Sequence, residues 1–202
     1  MMWYLTLPLL LLCVNLFAGC KQLQEIYEMS LPRAEYTTSP SFDPIKFNKV
    51  AILVEDNTRR FRRSGYLRQV EDEFVQAVIR KGYTVATRSD IEQIKKELKF
   101  QDSGWTDEDI MEVGRMLNVP AILIVSINDS SDDSRRNSQG TRIYYASASI
   151  GSRLLNVEKA EILWLASYTG TVRISKSNQR GMALAPVARV VAEAFPNRIE
   201  TN

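Results

Sequence analysis

The chain has 202 residues, 25% of them charged, and a formal net charge of +2. It contains no histidine, which excludes a Ser-His-Asp triad, a Cys-His pair and every histidine metal site. The balanced charge argues against nucleic-acid binding, and carboxylates alone suit hard ions rather than zinc or transition metals.

Residues 1–19 carry no charged side chain. The apolar run from Trp3 to Ala18 is broken by Thr6, Pro8 and Asn15, and it is shorter than the roughly 20 residues a membrane-crossing helix needs. It ends in the small pair Ala18-Gly19, the shape of a secretory signal peptide. The stretch Leu16-Phe17-Ala18-Gly19-Cys20 resembles the bacterial lipobox. It departs from that pattern in having Phe17 where Leu is commoner, and in an n-region without Lys or Arg. The resemblance implies a covalent lipid on Cys20, with palmitate as one acyl chain. Lys21 stands where aspartate would retain such a protein at the inner membrane, so the resemblance favours the outer membrane. An uncleaved anchor or a plain signal peptide, with Cys20 incidental, is the other reading. Each buried methylene contributes about 0.8 kcal/mol, so several chains anchor firmly where one does not. Both cysteines, Cys13 and Cys20, lie in this region, so the rest of the chain has no disulfide.

Residues 21–47 are polar and carry Pro32, Pro40 and Pro44. They read as a tether between lipid and domain, of which Ile26, Tyr27 and Phe42 are apolar enough to dock. Residues 49–55, KVAILVE, form a continuous apolar run, the pattern of a strand buried on both faces. Tyr66, Leu67, Val70, Phe74, Ala77 and Val78 then recur at helical spacing. Gly82 stops that helix, with Arg80 and Lys81 in its last turn. Residues 83–88 read as a short strand. Ser89-Asp90-Ile91-Glu92 reads as a capping box for a second helix with stripe Ile91, Ile94, Leu98. Thr106-Asp107-Glu108-Asp109 caps a third helix, with stripe Ile110, Val113, Leu117, which Asn118 and Pro120 end.

Residues 120–127, PAILIVSI, read as a second buried strand, and the polar stretch 128–142 as a mobile loop. Two extended runs follow, 143–157 and 160–174, joined by a hairpin turn at Glu158-Lys159. Pro186 suits the first turn of a last helix to Phe195, with Val187, Val190, Val191 and Ala194 inward. The order β-α-β-α-α-β-β-β-α predicts a single α/β (α+β) domain: a mixed sheet with a long hairpin and helices packed on it.

Candidate site residues are few. Arg59-Arg60-Phe61-Arg62-Arg63 places four guanidinium groups around one aromatic. Such a run either binds an anion or an acidic partner, with Phe61 as apolar anchor, or is a solvated loop whose Phe61 packs back onto the domain. Trp105, after Asp102-Ser103-Gly104, is either an exposed binding residue or a core closure beside a helix start. Asp107-Glu108-Asp109 already serves a helix N-terminus, so no metal site is expected there. Ser126 and Ser130 have no histidine to activate them, and no G-x-S-x-G or phosphate-loop motif appears. No catalytic residue is assigned and no cofactor is expected beyond the lipid on Cys20.

The lipobox, KVAILVEDNT, YTVATRSDIEQI, VPAILIVSI and the hairpin ASIGSRLLNVEKAEILW together resemble the CsgG-like (curli production assembly/transport) lipoprotein family. That family is related to the LpoB-like lipoproteins that activate penicillin-binding proteins. The resemblance covers about residues 49–195 and rests on strand and helix pattern. It implies an anticodon-binding-domain-like fold, an outer-membrane-anchored lipoprotein on the periplasmic face, and protein partners in the cell envelope: a cell-wall synthase or a secretion component. Pore members span the outer membrane with amphipathic hairpins. Here residues 128–142 have scarcely any apolar residue, and 175–185 are too short for a second hairpin, so a secretion pore is the lesser alternative. The expected organisation is a signal peptide at 1–19, a lipidated tether at 20–47, the domain at 48–196 and a tail at 197–202. Exposed sheet edges allow a homo-oligomer.

Overall fold

The computed structural model describes residues 32–61, 65–98 and 106–198. In chain order these form β1 (Glu35–Thr38), β2 (Lys49–Asp56), α1 (Tyr66–Arg80), β3 (Thr84–Val85), α2 (Arg88–Glu97), α3 (Asp107–Met116), β4 (Ala121–Arg136), β5 (Arg142–Asn156) and β6 (Ile162–Ile174). A 3-10 turn (Arg180–Ala183) then leads into α4 (Leu184–Glu193). The sheet has six strands in the order β1-β6-β5-β4-β2-β3. β2 runs parallel to β3 and β4, and every other neighbouring pair is antiparallel. The result is the mixed α+β sheet that the element order predicts.

The unbroken apolar runs of β2 and early β4 follow from burial on both faces. On one face Val50, Ile52, Leu123, Val125 and Trp164 pack under α1 and α4, whose contributions include Phe74 and Val191. On the other, Ala51, Leu53, Ile122 and Ile124 pack under α2 and α3, which supply Ile94, Ile110 and Val113. Each such side chain contributes about 1.5–3 kcal/mol when fully buried.

The helix ends follow local chemistry. Gly82 has φ +90°, a conformation that costs glycine nothing, and its N–H closes α1 on the Ile79 carbonyl. Thr106 and Asp109 form the expected reciprocal box at α3 (3.2 and 2.9 Å). α2 is capped two residues earlier than expected. The Thr87 hydroxyl, not Ser89, accepts from the Asp90 N–H (3.3 Å), and Ser89 lies inside the helix. Here β3 is only Thr84–Val85, so the chain turns into the helix at once and Thr87 meets the free N–H first.

Two expectations are corrected. The segment 20–47 is not tether throughout. Glu35–Thr38 pairs antiparallel with β6, Ser39 donates to the Leu163 carbonyl, and Phe47, 2% exposed, stacks against Phe42 at 6.1 Å. The compact unit therefore begins at Arg33 rather than at residue 48. The polar Glu35–Thr38 hides its strand from sequence because an edge strand needs only one ladder and leaves its side chains in water.

Nor is 128–142 a mobile loop. The β4–β5 ladder continues through a bulge between Ile127 and Asp129 as far as Arg136↔Arg142. Asn137 Oδ1 closes the turn by accepting the N–H groups of Gln139 and Thr141, with Gly140 at φ +78°. On the other strand Ala146 and Ala148 still face the core, but the β4 side chains beyond Ser130 are polar and mostly exposed, so the alternation of β4 is lost while its backbone pairing persists. The β5–β6 turn falls at Glu158-Lys159 as expected. Asn156 donates to Glu161, and Ala160 takes φ +56°.

Candidate functional site

The arginine run leaves β2 through a loop built by Asp56. One carboxylate oxygen accepts the Thr58 N–H (3.0 Å) and hydroxyl, and the other accepts the Phe61 N–H (2.6 Å). This tight fold forces Arg59 to φ +59° and drives Phe61 inward, where it is 5% exposed and meets the Tyr66 ring edge-on at 5.8 Å.

Arg60 turns back onto the sheet, its guanidinium donating to the Ser130 carbonyl at 2.6 Å. The Ser130 hydroxyl, fully buried, donates to the Arg180 carbonyl at 3.2 Å. Asp132 lies 3.5 Å from the Arg180 guanidinium and accepts the Asn178 N–H at 2.7 Å. The loop, the middle of β4 and the 3-10 turn are thus tied at one point. The structure separates the candidates that the sequence grouped. Arg60 is engaged in the fold, Phe61 is in the core, and the Arg59 side chain has no ion pair among the described residues. Cys20, Arg62, Arg63 and Trp105 lie outside the described residues.

A second region was missed by sequence reasoning. On that sheet face α2 and α3 cover β2, the first half of β4 and the end of β5, leaving the middle of β5, β6 and β1 open beside Ser126 and Asn128. A groove of about 450 Å³ runs there, lined by Glu35, Ser126, Asn128, Gly151, Arg153 and Leu165. The Asn128 side chain sits 3.1 Å from where a Cβ would stand on Gly151, so glycine there keeps the groove floor open beside the bulge. Arg153 bonds Asp107 at 2.9 Å, which fixes the start of α3 at the groove's rim. Ser126 donates to Glu55 at 3.3 Å on the groove floor. Leu165, 43% exposed, puts apolar surface beside these polar groups. The only signal in sequence was the small and polar alternation of β5 and β6 — Ser147, Ser149 and Gly151 against Ser167, Thr169 and Thr171 — on a face no helix covers.

The geometry suits recognition: paired strands, a mix of hydrogen-bonding groups and the exposed aliphatic side chain of Leu165. No described helix is long and apolar enough to cross a membrane.

No protein-family model matches the chain, and no curated protein matches its sequence. Several solved structures are similar in layout. A PelC dodecamer from Paraburkholderia phytofirmans is 13% identical, with 81% of this chain and 99% of that one covered and a TM-score of 0.46. Lipoprotein GNA1162 from Neisseria meningitidis is 14% identical, with 72% and 99% covered and a TM-score of 0.47. The LpoB C-terminal domain from Salmonella enterica is 13% identical, with 67% and 88% covered and a TM-score of 0.42.

Proposed function

We propose that the protein is a non-enzymatic lipoprotein, anchored through Cys20 to the outer membrane and facing the periplasm. It binds a protein partner in envelope assembly, a cell-wall synthase or a secretion component, through the open face of its sheet. The observation that carries the binding role is the groove between β1, β6, β5 and β4, with Leu165 exposed along its wall. An uncovered sheet face with aliphatic side chains at its edge is costly to leave in water and cheap to cover with a partner. The anchor rests on the lipobox resemblance at Leu16-Phe17-Ala18-Gly19-Cys20.

The alternative, a pore subunit, draws no support from the β4–β5 hairpin. Its strands are long enough, but beyond the bulge one face carries Asp129, Ser131, Asp133 and Arg135, and the other Ser130, Asp132, Ser134 and Arg136. Neither row offers lipid an apolar band.

The test has two arms. Cells are labelled with a palmitate analogue, with and without Cys20→Ala; label and membrane retention persisting in the variant would refute the anchor. A photo-crosslinking residue at Leu165 is compared with one at exposed Glu112 on α3. A specific envelope protein captured only from Leu165 supports the partner role, and equal capture from both positions removes it.

A further inference from the structure

The β4–β5 hairpin ends in exposed cations that nothing among the described residues offsets. Arg136 stands directly opposite Arg142 in the ladder. Residues opposed in this way have Cα atoms about 4.5–5.5 Å apart, and like charges so placed work against the pairing. The last β5–β6 rung is Tyr144↔Ile174, Arg173 stands one rung below opposite Tyr145, and Lys176 follows two residues beyond. None of Arg136, Arg142, Arg173 and Lys176 makes an ion pair or a side-chain hydrogen bond among the described residues. The nearby acids are engaged elsewhere: Asp133 with Arg135 at 3.4 Å, and Asp132 with Arg180 and the Asn178 N–H.

We propose that this tip docks on the phosphate headgroups of an anionic lipid surface. Two guanidinium groups side by side form a double fork for phosphate oxygens, and a bound phosphate turns their repulsion into attraction. A protein interface would need an apolar or aromatic anchor at its centre. The turn, Asn137-Ser138-Gln139-Gly140-Thr141, supplies none, and the neighbouring Ile143, Tyr144 and Tyr145 are half-buried in the strand behind it, so the tip rests on the headgroups without entering the hydrocarbon. Four exposed cations spread over three chain segments match a surface dense in phosphate better than one free ion, which water and salt would displace. The inference stands independently of the partner proposed for the groove.

The full chain and its Arg136→Ser/Arg142→Ser variant are compared for binding to vesicles of phosphatidylglycerol and of phosphatidylcholine, at low and high ionic strength. Any contribution of an acyl anchor or the apolar N-terminus is common to both lipids, so the ratio between them isolates the charge effect. The expected result is a preference for phosphatidylglycerol that salt weakens and that the variant loses by about thirtyfold. Thermal unfolding of both chains is measured in parallel, and the variant should be at least as stable because a like-charge pair is gone. Equal lipid preference in the two chains overturns the proposal. So does stabilisation of the wild type by inorganic phosphate without vesicle preference, which would assign the fork to a soluble ion. Crosslinks from residue 139 that reach an acidic protein rather than lipid overturn it as well.

Discussion

The guanidinium of Arg60 bonds the carbonyl of Ser130, 70 residues away, at 2.6 Å. One arginine of a basic run thereby serves as a brace, and its carbonyl partner lies on the residue whose hydroxyl holds the 3-10 turn. Arg60→Ala should cost about 1–3 kcal/mol, the scale of a hydrogen bond to a charged donor with its acceptor left unpaired. Arg59→Ala should cost less than about 0.5 kcal/mol, since its side chain makes no hydrogen bond or ion pair among the described residues. Urea unfolding of the two variants separates them, and equal losses would show that Arg60 braces nothing.

Gly114 sits where α3 crosses the end of β5. A Cβ there would stand 2.4 Å from Val157 Cγ2 and 3.0 Å from Ile122 Cδ1. Gly114→Ala therefore sets a gain in helix propensity of up to about 1 kcal/mol against overpacking of about 1–3 kcal/mol. The net outcome expected is destabilisation. Pairing it with Val157→Ala should recover most of the loss, and a double mutant with no recovery would contradict the contact.

Phe195 joins two rings that sequence separates widely, meeting Tyr83 and Trp164 edge-on at 5.1 Å each. Phe195→Ala should cost about 3–5 kcal/mol and lower the near-ultraviolet dichroism of Trp164. A loss below about 1 kcal/mol would mean the cluster is loosely packed.

Burial pushes the Tyr83 hydroxyl up from 10.0 to about 12, with Arg198 pulling slightly the other way. The folded state thus holds this proton more tightly than the unfolded one. Its contribution is fully present below about pH 10 and is lost as the pH rises towards about 12. Tyr83→Phe should flatten that alkaline fall. It should cost little at neutral pH, because the hydroxyl is buried without a hydrogen-bond partner among the described residues. An unchanged alkaline limb would remove Tyr83 as its source.

Sequence pattern carried the fold wherever one element meets core on a regular period. The doubly buried β2, the stripe of α1 and the Thr106 cap are legible because burial and hydrogen-bond supply repeat at 2 or 3.6 residues. β1 and the distal β4–β5 hairpin are not, because their stability comes from main-chain pairing, which places no demand on side-chain type. The site was illegible for a related reason. Four arginines adjacent in sequence look alike, and only the carbonyl of Ser130, far along the chain, distinguishes Arg60. The groove is defined by where α2 and α3 stop, which β5 and β6 register only as small and polar side chains on one face.

The placing of β2 between β3 and β4 bears on how the chain assembles. β4, β5 and β6 follow one another through two short turns and zip with little loop-closure entropy. β2 must reach β4 across the whole stretch that forms α1, β3, α2 and α3, and contacts of such separation close slowly. The three-stranded meander is therefore expected to acquire exchange protection first in pulse-labelled refolding, with β2 arriving last. A chain leaving the ribosome or a translocation channel in sequence order would hold the apolar segment 49–55 exposed until residues 121–127 had followed it out.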